Sequence, residues 1–516
     1  MVNLAMREKA RDILSGSKAE IKNNPLSKKN ALFSKPKEKK VTVITAAYNA
    51  ERFIRKTIDS VISQSIGFDE IEYIIVDDCS TDGTKEIVQE YAAMYKNICL
   101  VSLKENTGSP GTPRNIGIEL AQSKYVIFLD ADDWFAADGV ETLYHILEET
   151  GDDYAIGKTI KVESAGESVI GEFNSFKEKR SISPLDIPHF FYHMGPTARM
   201  MKLSIIKDHD LGFPDLKFGE DKWFFMELFF KIRFASTTAK PIYYVNRTNE
   251  NSQSLTRVTN VLDKRRADLK IIKHIQEADD IGLELKKTAL TRLYEYDLIK
   301  TCDSRLFVNA ENKEDFIEIL NEAFSSISDL PFDLLNEFKT PFYKAAAELF
   351  LEKRIEDFIM LFQWLKDESN KKYAIREQLP YYEIPFLEEP YRYIRVPILA
   401  RALDSYVMDD IYYQTLEIYG DHISQIDTIV IRDRKRVGNE VICDLEITGN
   451  IGTFHVSKTE LDRLESSLFT VFVRYNDYQL ANVKRIMKNK MSYDDKEMEF
   501  YTTLSNNLGL KITSKN

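Results

Sequence analysis

The residues best able to do chemistry in this chain are carboxylates set close together. Asp130-Ala131-Asp132-Asp133 forms an Asp-x-Asp motif directly after an apolar run. Two carboxylates one residue apart can present oxygens to a hard divalent cation and still leave positions for water and a diphosphate. A cation so held would act as a Lewis acid on a departing phosphate. Asp is also a frequent helix N-cap, and Asp133 can serve only as that. A second pair, Asp77-Asp78, and a segment running from Asn106 through Gly108 and Gly111 to Arg114 supply other groups. A carboxylate at the lip of a parallel sheet can accept from a base N–H or ribose hydroxyls, and an Arg can fork onto carboxylate or phosphate. Further on, Gly219-Glu220-Asp221-Lys222 opens an aromatic stretch. Asp221 could take a proton from an attacking hydroxyl, or be an N-terminal helix carboxylate favoured by the macrodipole, with Glu220 beside it.

Other candidates carry less. His189 and His193 stand four apart around Phe190-Phe191-Tyr192; a helix at that spacing could bind metal, yet no third ligand is evident, so core or acceptor-groove histidines are the better reading. Arg247, in Asn246-Arg247-Thr248-Asn249, could meet a phosphate or sit solvated in a loop. Trp223, Phe224, Phe225, Phe229 and Phe230 read as helix packing. Neither a Gly-x-Gly-x-x-Gly nor a Gly-x-x-x-x-Gly-Lys-Ser/Thr run follows the first strand, which disfavours a dinucleotide-dependent dehydrogenase or a P-loop enzyme.

Positioning these groups falls to four apolar, β-branched runs at residues 41–45, 71–76, 98–103 and 125–129. Between them lie helical patterns, with Ile54, Ile58, Val61 and Ile62 at i, i+4, i+7 and i+8. Continuous apolar strands joined by helices imply a parallel sheet covered on both faces. Ligands of open α/β sheets bind outside the carboxyl ends of the strands. All four runs end in polar residues: Tyr48-Asn49, Asp77-Asp78, Asn106 onward, and Asp130. Four such ends at one rim read as a site.

The 516 residues suggest about three domains. The expected layout is a basic, flexible leader at 1–40, an α/β domain at 41–258, a helical linker domain at 259–380 and a β-rich domain at 381–516, whose period-two alternation suggests a sandwich. The leader carries net +7 within a chain of net −12. An acidic body is a poor general nucleic-acid binder, whereas the leader could hold an anionic surface or be a solvated tail. No apolar run reaches the roughly 20 residues that span a bilayer. The leader lacks a secretory apolar core. Four scattered cysteines suggest neither zinc site nor disulfide framework, which fits a reducing compartment.

Residues 41–49, 76–82, 130–133 and Glu220-Asp221 resemble the successive motifs of inverting family 2 glycosyltransferases with a GT-A fold. Within that family, residues 106–115 and Gly195-Pro196-Thr197 look like the bacterial wall teichoic acid N-acetylglucosaminyltransferases that act on poly(ribitol phosphate). The resemblance covers about residues 40–255. It implies an α/β GT-A nucleotide-sugar-binding domain in which Ala47, Tyr48, Asp78 and Asn106 hold the uridine of a UDP-sugar. Arg114 would face the nucleotide and orient the Asp-x-Asp carboxylates, Asp130 would contact ribose or sugar, and Asp132, with Asp130, would bind Mn2+ or Mg2+. Asp221 would be the general base. It further implies an anionic polyol-phosphate or polysaccharide acceptor, a cytoplasmic enzyme peripheral at the inner face of the bacterial membrane, and a homo-oligomer, with a trimer as the family's pattern. The helical region and the C-terminal β-sandwich-like domain resemble, in layout, linker and oligomerising or polymer-binding domains. Two alternatives stand beside this reading: a capsular polysaccharide transferase using UDP-glucose or UDP-galactose, and a non-catalytic polymer-binding scaffold.

Overall fold

The computed structural model describes residues 6–26, 38–251, 260–367, 371–421, 423–426, 428–484, 489–492 and 496–514. The chain divides into two compact units, Met1–Ser164 with Val169–Leu290, and Ala165–Ser168 with Thr291–Asn516.

In the first unit α1 (Glu8–Ser15) and β1 (Ala19–Lys22) precede an alternating series: β2 (Val41–Ala47), α2 (Ile54–Ile62), β3 (Ile71–Asp77), α3 (Thr84–Met94), β4 (Ile98–Leu103), α4 (Gly111–Leu120) and β5 (Tyr125–Phe128). After them come β6 (Trp134–Phe135), α5 (Gly139–Thr150), β7 (Tyr154–Glu163), β8 (Gly166–Ile170), β9 (Lys179–Ile182), β10 (Arg199–Lys202), α6 (Leu203–Asp208), α7 (Glu220–Lys231) and β11 (Ala235–Asn246). The strand order is β1-β4-β3-β2-β5-β10-β7-β11-β6. β2 runs parallel to β3 on one side and to β5 on the other, so the chain reverses its direction of strand addition there. The crevice beside β2 is the switch point at which open α/β sheets bind ligands.

The apolar runs become strands because both faces are covered. Val41, Val43 and Ala47 share a core with Ile54, Ile58 and Val61. On the opposite face Ile44 meets α4 so closely that a Cβ on Gly117 would lie 2.4 Å from its Cγ2. Ala47 pairs with Asp77 and Asp77 with Ser102, while β5 pairs with β2 up to Ile44–Phe128. All four polar segments therefore leave the sheet at one edge.

Residues 6–26 depart from the expected flexible leader. α1 contacts α4, and β1 adds antiparallel to β4, Ala19 facing Leu103. Arg7, Lys9 and Arg11 pair with Glu119, Asp210 and Asp215 of the same unit, so these basic residues are neutralised internally. Lys28, Lys29, Lys35 and Lys37 lie outside the described residues. The first unit also runs past 258: the helix Val261–Glu277 packs on α7, where Trp223 stacks on His274 at 4.3 Å and His274 meets Glu227 at 2.8 Å. Trp223, Phe224, Phe225 and Phe229 are buried, in keeping with helix packing.

In the second unit, helices Glu314–Phe324, Pro341–Leu351 and Ile355–Lys366 enclose Phe307, Phe316, Phe358 and Phe362. Strands begin at Lys372–Arg376. The C-terminal sheet then runs Thr428–Asp433, Glu440–Thr448, Ile451–Ser457, Ile411–Gly420, Ile398–Met408, Gln479–Lys484, Leu468–Tyr475 and returns to Thr428–Asp433. The sandwich-like domain thus has a ring closed by Ile429 against Val473. Its alternating strands point Leu416, Ile418, Phe454 and Val471 inward. Cys79, Cys99, Cys302 and Cys443 are all free. Among the described residues no helix is long and apolar enough to cross a membrane.

The Ile44–Gly117 contact has a measurable cost. Gly117→Val should destabilise the first unit by about 1–3 kcal/mol through overpacking, read as a lowered urea midpoint with an unchanged m-value.

Candidate active site

The β2 and β3 ends form one lip of the site. The Asp78 N–H donates to the Ala47 carbonyl at 2.8 Å, extending the ladder one residue past the strands. The Asp78 carboxylate accepts from the Thr107 N–H and Oγ1, each at 2.9 Å. Asn106 Nδ2 donates to the Asp78 carbonyl at 2.9 Å, and Asn106 Oδ1 accepts from the Gly108 N–H. Burial pushes the Asp78 carboxyl up, against the Thr107 hydrogen bonds that pull it down. The two turns lock together, since Ser80 Oγ accepts from the Asn49 N–H and Asn49 Oδ1 from the Thr81 N–H. Asn49 and Cys79 take left-handed φ of 48° and 60° to make these turns. Tyr48 stays 51% exposed on the lip, an aromatic face open to a flat ring. Ala47, Tyr48, Asp78 and Asn106 are thus brought together.

At the centre is Arg114. Its guanidinium, 4% exposed, donates Nη2 to Asp130 Oδ1 at 2.8 Å and Nη1 to Glu220 Oε1 at 3.4 Å and to Asp221 Oδ1. One cation from α4 thereby joins the strand end that carries the Asp-x-Asp motif to the first turn of α7. Burial drives the Asp221 carboxyl up to about 6; Arg114 opposes the rise, and Asp130 adds to it. Glu220 is pushed up by burial and then by Asp221. Asp221 keeps 28% of its side chain exposed, so it faces the open crevice, whereas Glu220 is buried.

The remaining Asp-x-Asp carboxylates split in role. Asp133 is buried and caps no helix. It accepts from Tyr243 Oη at 2.9 Å and from the Asn246 N–H at 2.7 Å, while the Tyr243 oxygen accepts the Asp130 N–H at 3.0 Å. The end of β11 is thus clamped to the motif. Asp132 accepts from Asn251 Nδ2, which also donates to the Asn246 carbonyl. Burial and then the charge of Asp130 push Asp132 up, and Asn251 and Arg247 hold it down.

Two crowded carboxylates raised by each other's field suit a divalent cation. Among the described residues no three His, Cys, Asp or Glu groups form a ready-made cage. The protein would then give one or two oxygens and leave the rest to phosphate and water, the habit of Mg2+-type sites. The donor set of Asp130 and Asp132 fits.

His189 and His193 do not form a metal pair. His189 packs on Phe173 and Tyr192. His193 turns Nδ1 to Arg199 at 3.3 Å and Nε2 to Thr197 Oγ1 at 3.3 Å. Arg only donates, so Nδ1 is the acceptor and Nε2 carries the proton. Arg199, fully buried, donates to the carbonyls of Thr197 and His193, and its charge reaches Asp221. Arg247 donates to the Asn246 carbonyl. Sequence reasoning missed Thr107, Tyr243, Asn251 and Arg199. Neutral groups that brace a carboxylate carry no motif, although the Asn-rich stretch after β11 is a visible cue.

Residues 42–206 match the model of Glycosyl transferase family 2. Over 303 residues the chain is 30% identical to the poly(ribitol-phosphate) beta-N-acetylglucosaminyltransferase TarP of Staphylococcus aureus, spanning 57% of this chain and 90% of that protein. The chain belongs to the family 2 glycosyltransferases. This transferase is also 30% identical over 206 residues to the poly(ribitol-phosphate) beta-glucosyltransferase of Bacillus spizizenii, which takes in 40% of this chain and 32% of that protein. It spans about a third of the length of the first curated relatives it matches. The crystal structure of S. aureus TarS superposes with a TM-score of 0.57 at 19% identity, over 92% of this chain and 86% of that one. TarS 1-349 in complex with UDP-GlcNAc gives 0.57 at 22%, over 69% and 99%. These structures share its fold.

In this glycosyltransferase Tyr243→Phe removes one hydroxyl and strands two buried groups, the Asp133 oxygen and the Asp130 N–H. The expected cost is about 1–3 kcal/mol, measured as a fall in denaturant midpoint relative to wild type.

Proposed function

We propose that this chain transfers N-acetylglucosamine from UDP-GlcNAc to a hydroxyl of a polyol-phosphate polymer such as the poly(ribitol phosphate) of wall teichoic acid, inverting the anomeric carbon. The observation that carries the reading is the Arg114 bridge, which ties Asp130 and Asp221 across the crevice at the switch point in a chain that aligns with 90% of TarP. Tyr48, Asp78 and Asn106, with the Ala47 backbone, hold the uridine. Asp130 contacts the ribose or sugar. Asp221, partly exposed, accepts the acceptor hydroxyl proton as its oxygen forms the new bond to the anomeric carbon. The bond from that carbon to the diphosphate oxygen breaks on the opposite side, and its electron pair leaves with UDP. Arg114 fixes the distance between the two carboxylates, so the reactants need not be oriented by chance encounter. Mn2+ or Mg2+ held by Asp132 and Asp130 supplies neutralisation of the leaving diphosphate.

UDP-glucose is the second donor reading, favoured by the match to a poly(ribitol-phosphate) beta-glucosyltransferase. We further propose a homo-oligomer, perhaps best matched by a trimer, built through the C-terminal domain, where Leu403, Tyr406, Val407 and Met408 expose apolar side chains on one hairpin; the enzyme would work in the cytoplasm at the membrane face where the acceptor is made.

UDP release measured with UDP-GlcNAc, UDP-glucose and UDP-galactose, with and without poly(ribitol phosphate), decides among the donors. Stimulation by a capsular polysaccharide alone would favour that acceptor, and inertness toward all donors would leave a binding scaffold. Asp221→Asn should lower transfer about 10²–10⁴-fold; full activity in this variant would remove Asp221 from the role of base. The base works ionised, so the wild-type rate should rise with pH through about 6 and be lost below it. Exhaustive chelation should abolish transfer and Mn2+ should restore it, whereas unaltered turnover after chelation would exclude the metal.

A further inference from the structure

The segment ahead of the sheet reaches the machinery of the site through two buried polar residues. Arg7, 3% exposed, pairs through Nη1 with Glu119 Oε1 at 3.1 Å and through Nη2 with Asp210 Oδ1 at 2.5 Å. Arg11 meets the same two carboxylates at 3.1 and 2.5 Å. Glu119 lies on α4, the helix of Arg114. Asp210 sits in a left-handed turn with φ 49°, a conformation Asp accepts at modest cost. Next to it the chain presses on Arg7, since a Cβ on Gly212 would lie 2.7 Å from Arg7 Cγ and 3.2 Å from Asn115 Oδ1.

Asn115 completes the link. Its Nδ2 donates to the Met6 carbonyl at 3.0 Å and the Phe213 carbonyl at 2.8 Å, and its Oδ1 accepts from the Phe213 N–H at 2.8 Å. The Phe213 ring lies 5.3 Å from the Arg114 guanidinium and stacks on Phe224 of α7 at 4.1 Å. The α4 N-terminus is equally close, because a Cβ on Gly111 would lie 3.1 Å from the Pro214 carbonyl and 3.5 Å from Glu220 Cγ. A buried guanidinium held by two carboxylates is a rigid fastening. Here it fastens the turn at 210–214 to α4, the elements that carry Arg114 and lead into Asp221.

We infer that Arg7 is a positioning residue for the catalytic base: it clamps the 210–214 turn against α4 and so holds Arg114 and Asp221 in register. This rests on the reading of Asp221 as base. The segment around Arg7 is then an integral brace of the site and not an acceptor-binding tail.

The test uses the full chain carrying Arg7→Ala, Arg7→Lys or Asp210→Asn, with the exposed α2 residue Arg55 changed to Ala as control. In Arg7→Ala the kcat for polymer-dependent UDP release should fall about tenfold, with the KM for UDP-GlcNAc within about twofold. The acidic limb of its pH profile should move to higher pH, because Arg114 holds the Asp221 carboxyl down and would sit less firmly. Arg7→Lys should recover part of the loss, and Arg55→Ala should match wild type. Amide exchange should quicken across 210–221 in both Arg7→Ala and Asp210→Asn while β2 keeps its protection. Unchanged exchange at 210–221, or a loss of protection that extends equally to β2 in both variants, overturns the proposal. A wild-type chain inert toward every UDP-sugar would sink the transferase reading alone, since the exchange arm still decides the brace.

Discussion

The first unit depends on one buried cation. Arg114 is the shared partner of Asp130, Glu220 and Asp221, three acids from segments that meet only in the fold. Without it their mutual repulsion in a poorly solvated crevice would be relieved by protonation or by separation of the elements. With it, α4, the end of β5 and the start of α7 are drawn to one point. Arg suits this position because its planar fork serves several acceptors while staying charged. The cost of burying it is met by the neighbouring acids, which is why so many carboxylates can gather on one rim.

A second constraint divides the acids by duty. Asp133 and Tyr243 tie the Asp-x-Asp segment to β11 through fully buried hydrogen bonds, which leaves Asp130 and Asp132 oriented and partly open. Asp78 is braced by Thr107 in the same way. In each case a neutral donor holds the carboxylate while a lone pair remains for a ligand. Rigid support of this kind is what a site needs when its ligand carries a flexible diphosphate.

The parallel core was readable from the sequence because its strands are continuous apolar runs, and Asp78, Arg114, Asp130 and Asp221 were readable because charged residues at strand and helix ends stand out against that background. Tyr243 and Arg199 were not. Tyr243 lies within an apolar strand where its hydroxyl is indistinguishable from packing, and Arg199 follows a Gly-Pro-Thr turn with nothing to mark its complete burial. The basic residues before the sheet misled for a related reason. Charge density describes a tail only when the opposing charges are absent from the folded surface, and Asp210 and Glu119 are supplied from about 100 to 200 residues away.

The same burial that makes the acids expensive is what makes them useful. Desolvation pushes Asp221 toward about 6, and Arg114 and Arg199 pull it back. A carboxylate left in water would be ionised but weakly basic, and one buried without a cation would stay protonated at neutral pH. Between these limits the group is both ionised near neutrality and a better proton acceptor than a free Asp. The balance depends on the distance from Asp221 to Arg114, and therefore on whatever holds α4 and the 210–214 turn together. Catalytic tuning at the crevice and packing at the edge of the fold are in this sense one problem, joined through Phe213, Asn115 and Arg7.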